Sequence, residues 1–184
     1  MSSLLKKLVM VISVIVFILF IALIIAAWSM GMFSRVAVSE QMRGQYYIVS
    51  IAHTGSYRGI SEKIETVAQM LEKKQIDHSI ACGIFFDDPS VVPVESLRSE
   101  GGFLIQDSIA VDSIFIMNRI PKRKVIVASI EANPALAWFK TYPALKDWMD
   151  KYAYQADSSE PIIELYHTDG LVEVELSINA PKSE

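Results

Sequence analysis

Glu164 stands at the middle of Pro161-Ile-Ile-Glu-Leu-Tyr-His, a run otherwise rich in apolar and β-branched residues. In an extended chain the two-residue period puts Ile162, Glu164 and Tyr166 on one face, with Ile163, Leu165 and His167 on the other. Such a carboxylate either faces solvent from a half-exposed sheet or lies partly buried, and the pattern by itself favours the first. Buried without a partner it would be costly, and it would hold a proton or attract a positive ligand. A second constellation is Asp87-Asp-Pro89 with Arg98. Asp and Pro initiate turns, and the Arg98 guanidinium can grip Asp87 or Asp88 through paired hydrogen bonds, which favours a structural clasp over an anion site. His53, His78 and His167 lack metal-ligand spacing, Cys82 is the only cysteine, and no Gly-rich phosphate loop occurs. No metal, cofactor or catalytic residue is therefore assigned.

The elements that must position these residues follow from periodicity. Tyr46 to Ala52 reads as a strand followed by the turn cluster His-Thr-Gly-Ser, and Val36 to Ser39 as a lead-in strand. Ile60, Ile64, Val67, Ala68 and Leu71 recur at helical spacing with charged residues between them, an amphipathic helix. Ser79 to Phe86 and Gly102 to Gln106 are strands joined by the acid-tipped connection. The same order then returns. Lys124 to Ile130 is a strand, and Asn133-Pro134 is an N-cap with Pro at the first helical position. A helix through Leu136, Phe139, Leu145, Trp148, Met149 and Tyr152 follows, which Pro143 is expected to kink or split. Pro161 to His167 and Leu171 to Ile178 form a hairpin about Thr168-Asp169-Gly170.

The expected fold is therefore α+β, with tandem β-α-β-β modules forming one antiparallel sheet. Both helices lie on one face, and a cleft runs between the halves. Laying Ile163-Glu164-Leu165-Tyr166 over Cys82-Gly83-Ile84-Phe85 sets Glu164 against Gly83. One half would supply a charge, and the other the room for a ligand.

With 52% hydrophobic residues, the 184-residue chain is too apolar for a plain soluble domain. The excess lies in residues 8–28, where Ser13 is the only polar side chain and the length matches a bilayer's hydrocarbon core. The run is longer than a signal-peptide core and no clear Ala-x-Ala site follows it, so it is read as an uncleaved single-pass anchor. Residues 1–7 form its flank, 29–35 a linker, 36–178 the domain and 179–184 a disordered tail. Lys6 and Lys7 favour a cytoplasmic N-terminus and an extracytoplasmic domain. They are the only charges before Arg35, so the rest of the chain keeps 15 of the 17 basic and all 21 acidic side chains, a net charge of −6. Such a domain repels phosphates, which argues against a nucleic-acid partner.

Five segments, in order, carry a family resemblance: Ile51-Ala-His-Thr-Gly-Ser-Tyr57, Gly83-Ile-Phe-Phe-Asp-Asp-Pro89, Val92-Pro93 with Leu97-Arg98-Ser99, Tyr142-Pro-Ala-Leu145 and Pro161-Ile-Ile-Glu-Leu-Tyr166. Together they resemble the GyrI-like small-molecule-binding domains, closest to their membrane-anchored branch. In the effector-binding domains of multidrug-sensing regulators of this family, a cleft glutamate pairs with lipophilic cations among aromatic rings. The resemblance implies that Glu164 is that glutamate. The expected ligand-binding set is Glu164, Tyr166, Phe85, Tyr57, Gly83 and Trp138, with Tyr47 and Phe139 as further wall candidates. Of the aromatic residues, Tyr57, Phe85 and Tyr166 lie in matched motifs.

No DNA-binding segment accompanies the domain, which argues against transcriptional regulation. The expected function is a membrane-anchored receptor for a small, cationic or amphiphilic molecule. The alternatives are a protein-interaction adaptor at the membrane, or a hydrolase of strained small molecules using the cleft glutamate, as in two other sets of relatives.

Overall fold

The computed structural model describes residues 3–179. The elements are α1 (Ser3–Ser29), β1 (Ala37–Arg43), β2 (Tyr46–Thr54), α2 (Ile60–Lys73), β3 (Ile80–Phe85), β4 (Arg98–Ile105) and β5 (Ile116–Ile120). They continue with β6 (Arg123–Glu131), α3 (Pro134–Tyr152), β7 (Gln155–Ala156), β8 (Ile162–His167) and β9 (Leu171–Asn179). The expected tail, beyond Asn179 at the end of β9, lies outside the described residues.

The sheet is antiparallel, nine-stranded, and ordered β1-β6-β9-β8-β3-β4-β2-β5, with β7 on β9. The repeated units are β2-α2-β3-β4 and β6-α3-β8-β9, joined where β3 pairs with β8. Both helices cover the same face, so the chain is α+β, with the apolar α1 ahead of the domain. Two strands, β5 and β7, were not anticipated from periodicity.

The first strand extends through β1 as far as Arg43 and forms one long ribbon with β2. Its partner is the β5–β6 run, and one register persists across both pairings, with Arg43 opposite Arg123 and Tyr46 opposite Ile120. The ribbon breaks at Gly44-Gln45, where Gly44 has φ +113 and passes so close to Pro121 that a Cβ would strike its carbonyl oxygen. Because β5 at one end of the strand order runs into β6 near the other, the sheet curls round on itself.

On the helix face, Val67, Met70 and Leu71 of α2 pack on Val49, Phe103 and Ile105. Leu145 of α3 packs on Ile126, Ala128 and Val174. Each fully buried aliphatic side chain contributes about 1.5–3 kcal/mol. The helix α3 starts as its sequence predicts: Asn133 Oδ1 accepts from the Ala135 N–H at 2.9 Å, and Pro134 follows the cap. Pro143 does not split it, and the helix runs through to Tyr152.

From Leu5 to Ser29 the helix α1 has a mean hydropathy of 3.5 over its most apolar stretch, and none of that stretch is covered by the domain. It is long and apolar enough to cross a membrane.

Candidate functional site

The β3–β8 pairing sets Gly83 directly opposite Glu164, so both face the helix side of the sheet. Here the carboxylate is 9% exposed. The Tyr142 hydroxyl donates to Glu164 Oε1 at 2.7 Å, and the Tyr166 hydroxyl to Oε2 at 2.7 Å. Burial raises the pKa of Glu164 above the ordinary carboxylate value, and the two phenol donors pull it partly back. Burial, reinforced by the carboxylate charge, holds both phenols well above their usual range, which keeps them protonated as donors. The causes of the Glu164 shift include no cation.

The room beside Gly83 is taken by a ring. A Cβ on Gly83 would meet Phe85 ring atoms at 2.8 Å and Ile60 Cδ1 at 3.0 Å, so Phe85 folds back over the glycine. Tyr57 stands edge-on to Phe85, with ring centroids 4.8 Å apart, and its hydroxyl donates to the Asp87 carbonyl at 2.5 Å. The loop bearing Asp87 is clasped by Arg98, which donates from Nη2 to Oδ1 at 2.7 Å and from Nε to Oδ2 at 3.0 Å. This is the paired grip expected from the sequence, and it makes the arginine part of the scaffold under Tyr57.

Five of the six expected residues, Glu164, Tyr166, Gly83, Phe85 and Tyr57, thus meet at the β3–β8 seam. Trp138 is held apart. It is half-exposed on α3 and stacks on Phe139 with centroids 3.6 Å apart. These two rings begin a shallow, largely apolar groove of about 670 Å³ that continues past Tyr142, Pro143, Met149 and Ile162. Tyr142 belongs to both places, lining the groove and holding Glu164. The sequence reading does not pick it out as a site residue, although at three positions from both Phe139 and Leu145 it stands between them on the helix surface. Tyr47 packs against the α2 core instead.

The opposite face of the curled sheet holds a polar cluster that the sequence did not reveal. Glu175 is fully buried and accepts from Tyr46 Oη at 2.5 Å and Arg123 Nη2 at 2.8 Å. Beside it Arg43 pairs with Glu173 at 2.5 Å, and His167 Nε2 lies 3.0 Å from the same carboxylate. Glu100 accepts from Ser50 at 2.5 Å and from Asn118 at 2.7 Å. These groups bond to one another and have the character of a structural polar core. Among the described residues no group of three His, Cys, Asp or Glu side chains is placed to hold a metal.

Residues 37–178 match the model of the GyrI-like small molecule binding domain. Among solved structures, the EcmrR C-terminal domain superposes with a TM-score of 0.61 at 14% identity, over 79% of this chain and 98% of its own. SAV2435 bound to tetraphenylphosphonium gives 0.53 at 13%, over 78% of this chain and 94% of its own. A hydrolase from Listeria innocua gives 0.57 at 9%, over 79% and 93%. At these identities the likenesses speak for the fold. No curated protein matches the chain. Over most of its length, from residue 37 to residue 178, this chain belongs to the GyrI-like small molecule binding domain family.

Proposed function

We propose that the domain binds a small cationic or amphiphilic molecule at the Glu164 seam, and that α1 anchors it in a membrane as a single-pass protein with the domain extracytoplasmic. The observation that carries the reading is a buried carboxylate whose hydrogen-bond partners are two phenols. Burial of an anion without a counter-charge is unfavourable, and a cationic ligand removes that penalty where a neutral one cannot. The rings of Tyr57, Phe85, Tyr142 and Tyr166 would meet such a cation, at about 0.5–2 kcal/mol for each cation–π contact. Tetraphenylphosphonium, the ligand of one neighbour of the same fold, is a molecule of this class.

In this reading Glu164 supplies charge, Tyr142 and Tyr166 hold it in place, and Phe85 moves off Gly83 to admit the ligand. Trp138 guards the groove that leads to Tyr142. The anchor suits such ligands, since amphiphilic cations concentrate at anionic bilayer surfaces.

The test is calorimetric titration of the full chain in nanodiscs with tetraphenylphosphonium and a neutral isostere, beside Glu164→Gln. Partition of the probe into lipid is common to both proteins, so the difference reports the site. Saturable binding of the cation by the parent chain, lost in the variant and absent with the isostere, is the expected result. Equal heats from both proteins would remove Glu164 from the site.

A further inference from the structure

The connector between α1 and the domain is folded onto α3. Met32 N–H donates to the Ala27 carbonyl and Gly31 N–H to the Trp28 carbonyl, which closes α1 through a glycine at φ +77. A Cβ on Gly31 would lie 2.5 Å from the Glu131 carbonyl oxygen, so the turn is pressed against the end of β6. The Met30 carbonyl accepts from Asn133 N–H at 3.0 Å, and Lys140 Nζ donates to the Met32 and Ser34 carbonyls, both at 2.6 Å. The residue after α1, Met30, therefore meets the cap of α3, and a lysine two turns along α3 clamps what remains of the linker. Such a joint has no slack. It fixes which surface of the domain lies against whatever α1 is embedded in.

That surface is aromatic. Trp28 at the end of α1 and Met32 and Phe33 of the connector are 72%, 51% and 65% exposed, and Trp138 and Phe139 of α3 are 49% and 60% exposed. Trp138 lies five residues beyond Asn133, a rise of about 8 Å along α3. The headgroup layer that flanks the hydrocarbon core is about 5–8 Å deep on each side. Rings at this distance from the end of a span reach the interface, the level that Trp prefers.

We infer that Trp138 and Phe139 join Trp28 and Phe33 in one bilayer-contacting surface, so that the groove on α3 opens onto the membrane and receives its ligand from the lipid phase. The inference rests on the reading of α1 as a membrane anchor, and continuity with that anchor is what selects a bilayer over a protein partner. The ligand class narrows accordingly, to an amphiphile already partitioned into lipid. An apolar body would slide past the Trp138–Phe139 pair while its polar end travels along α3 toward Tyr142.

The experiment uses the full chain in nanodiscs of phosphatidylcholine with a minor share of phosphatidylglycerol, with or without bromine on the acyl chains. The chain has three tryptophans, so W28F/W148F reports from Trp138 alone and W138F/W148F from Trp28 alone. Loss of most of the Trp138 emission in brominated lipid is expected. Quenching of Trp28 with Trp138 unaffected would overturn the docking and leave the anchor standing. Absence of quenching at Trp28 would remove the anchor and the inference with it. Trp148 packs in the α3 core, so a second measurement leaves it in place: a nitroxide on Phe139→Cys, the other cysteine being the buried Cys82. Preferential collision of that nitroxide with oxygen over a water-soluble nickel chelate supports docking, and the reverse preference overturns it.

Discussion

In the folded chain Glu164 releases its proton less readily than in the unfolded one, because burial penalises the charge more than Tyr142 and Tyr166 favour it. Between the ordinary value of 4.5 and the raised folded value, the native state holds the extra proton. Stability therefore falls as pH rises through that window, and the deficit is complete above it. Glu164→Gln keeps polar contacts for both phenols without the charge. Its urea midpoint in micelles is expected to exceed the parent's at neutral pH and to converge with it below the ordinary carboxylate value. A difference between the two proteins that stays constant with pH would show that Glu164 ionises normally. The strand position of this carboxylate and its alignment with Gly83 were legible, because a period of two and a comparison of the halves need no tertiary knowledge. Its burial was not legible, since that depends on a phenol from α3 whose contact with β8 has no local signature. Trp138 was grouped with the seam on its residue type, and the structure separates it.

The elements were easier to read where local chemistry and pattern agree. For α3 the cap, the first-turn proline and the helical spacing all pointed to one start, and the structure has it there. Asn133→Ala removes the side-chain acceptor for the Ala135 N–H. It is expected to cost about 1 kcal/mol in chemical denaturation. A loss several times larger would mean that the cap also secures the Met30 contact. Strand β5 escaped notice for the opposite reason. Asn118 and Arg119 interrupt its apolar run, and it becomes a strand by pairing with β2 along the ribbon, far earlier in the chain. Of the two effects expected of Pro143, a kink or a split, the split does not occur: α3 is continuous through it, with core contacts from Ala137 and Leu145 on either side.

At the scale of the whole molecule, curling of the sheet decides what is inside. The alternation in Leu171-Val-Glu-Val-Glu-Leu marks a strand, and on a flat sheet its glutamates would face water. Here the face they occupy is enclosed, and Glu175 is fully buried against Tyr46 and Arg123. Arg123→Met leaves that carboxylate buried without its cation, so a loss of about 3–5 kcal/mol in denaturation is expected. The double change R123M/E175L removes both charges and is expected to recover most of it. If the single change is tolerated, the pair is open to water. The place of β9 has a consequence for how the protein is made. Among the described residues it is the last strand in chain order, yet it lies within the sheet, hydrogen-bonded to both β6 and β8. Until β9 has emerged from the ribosome, β6 and β8 each lack one of their two neighbours, and the halves meet only at the β3–β8 pairing and along the ribbon. Closure of the sheet is therefore a late, long-range event, at a stage when α1 has long been synthesised, and the nascent domain needs protection from edge-to-edge association in the interval.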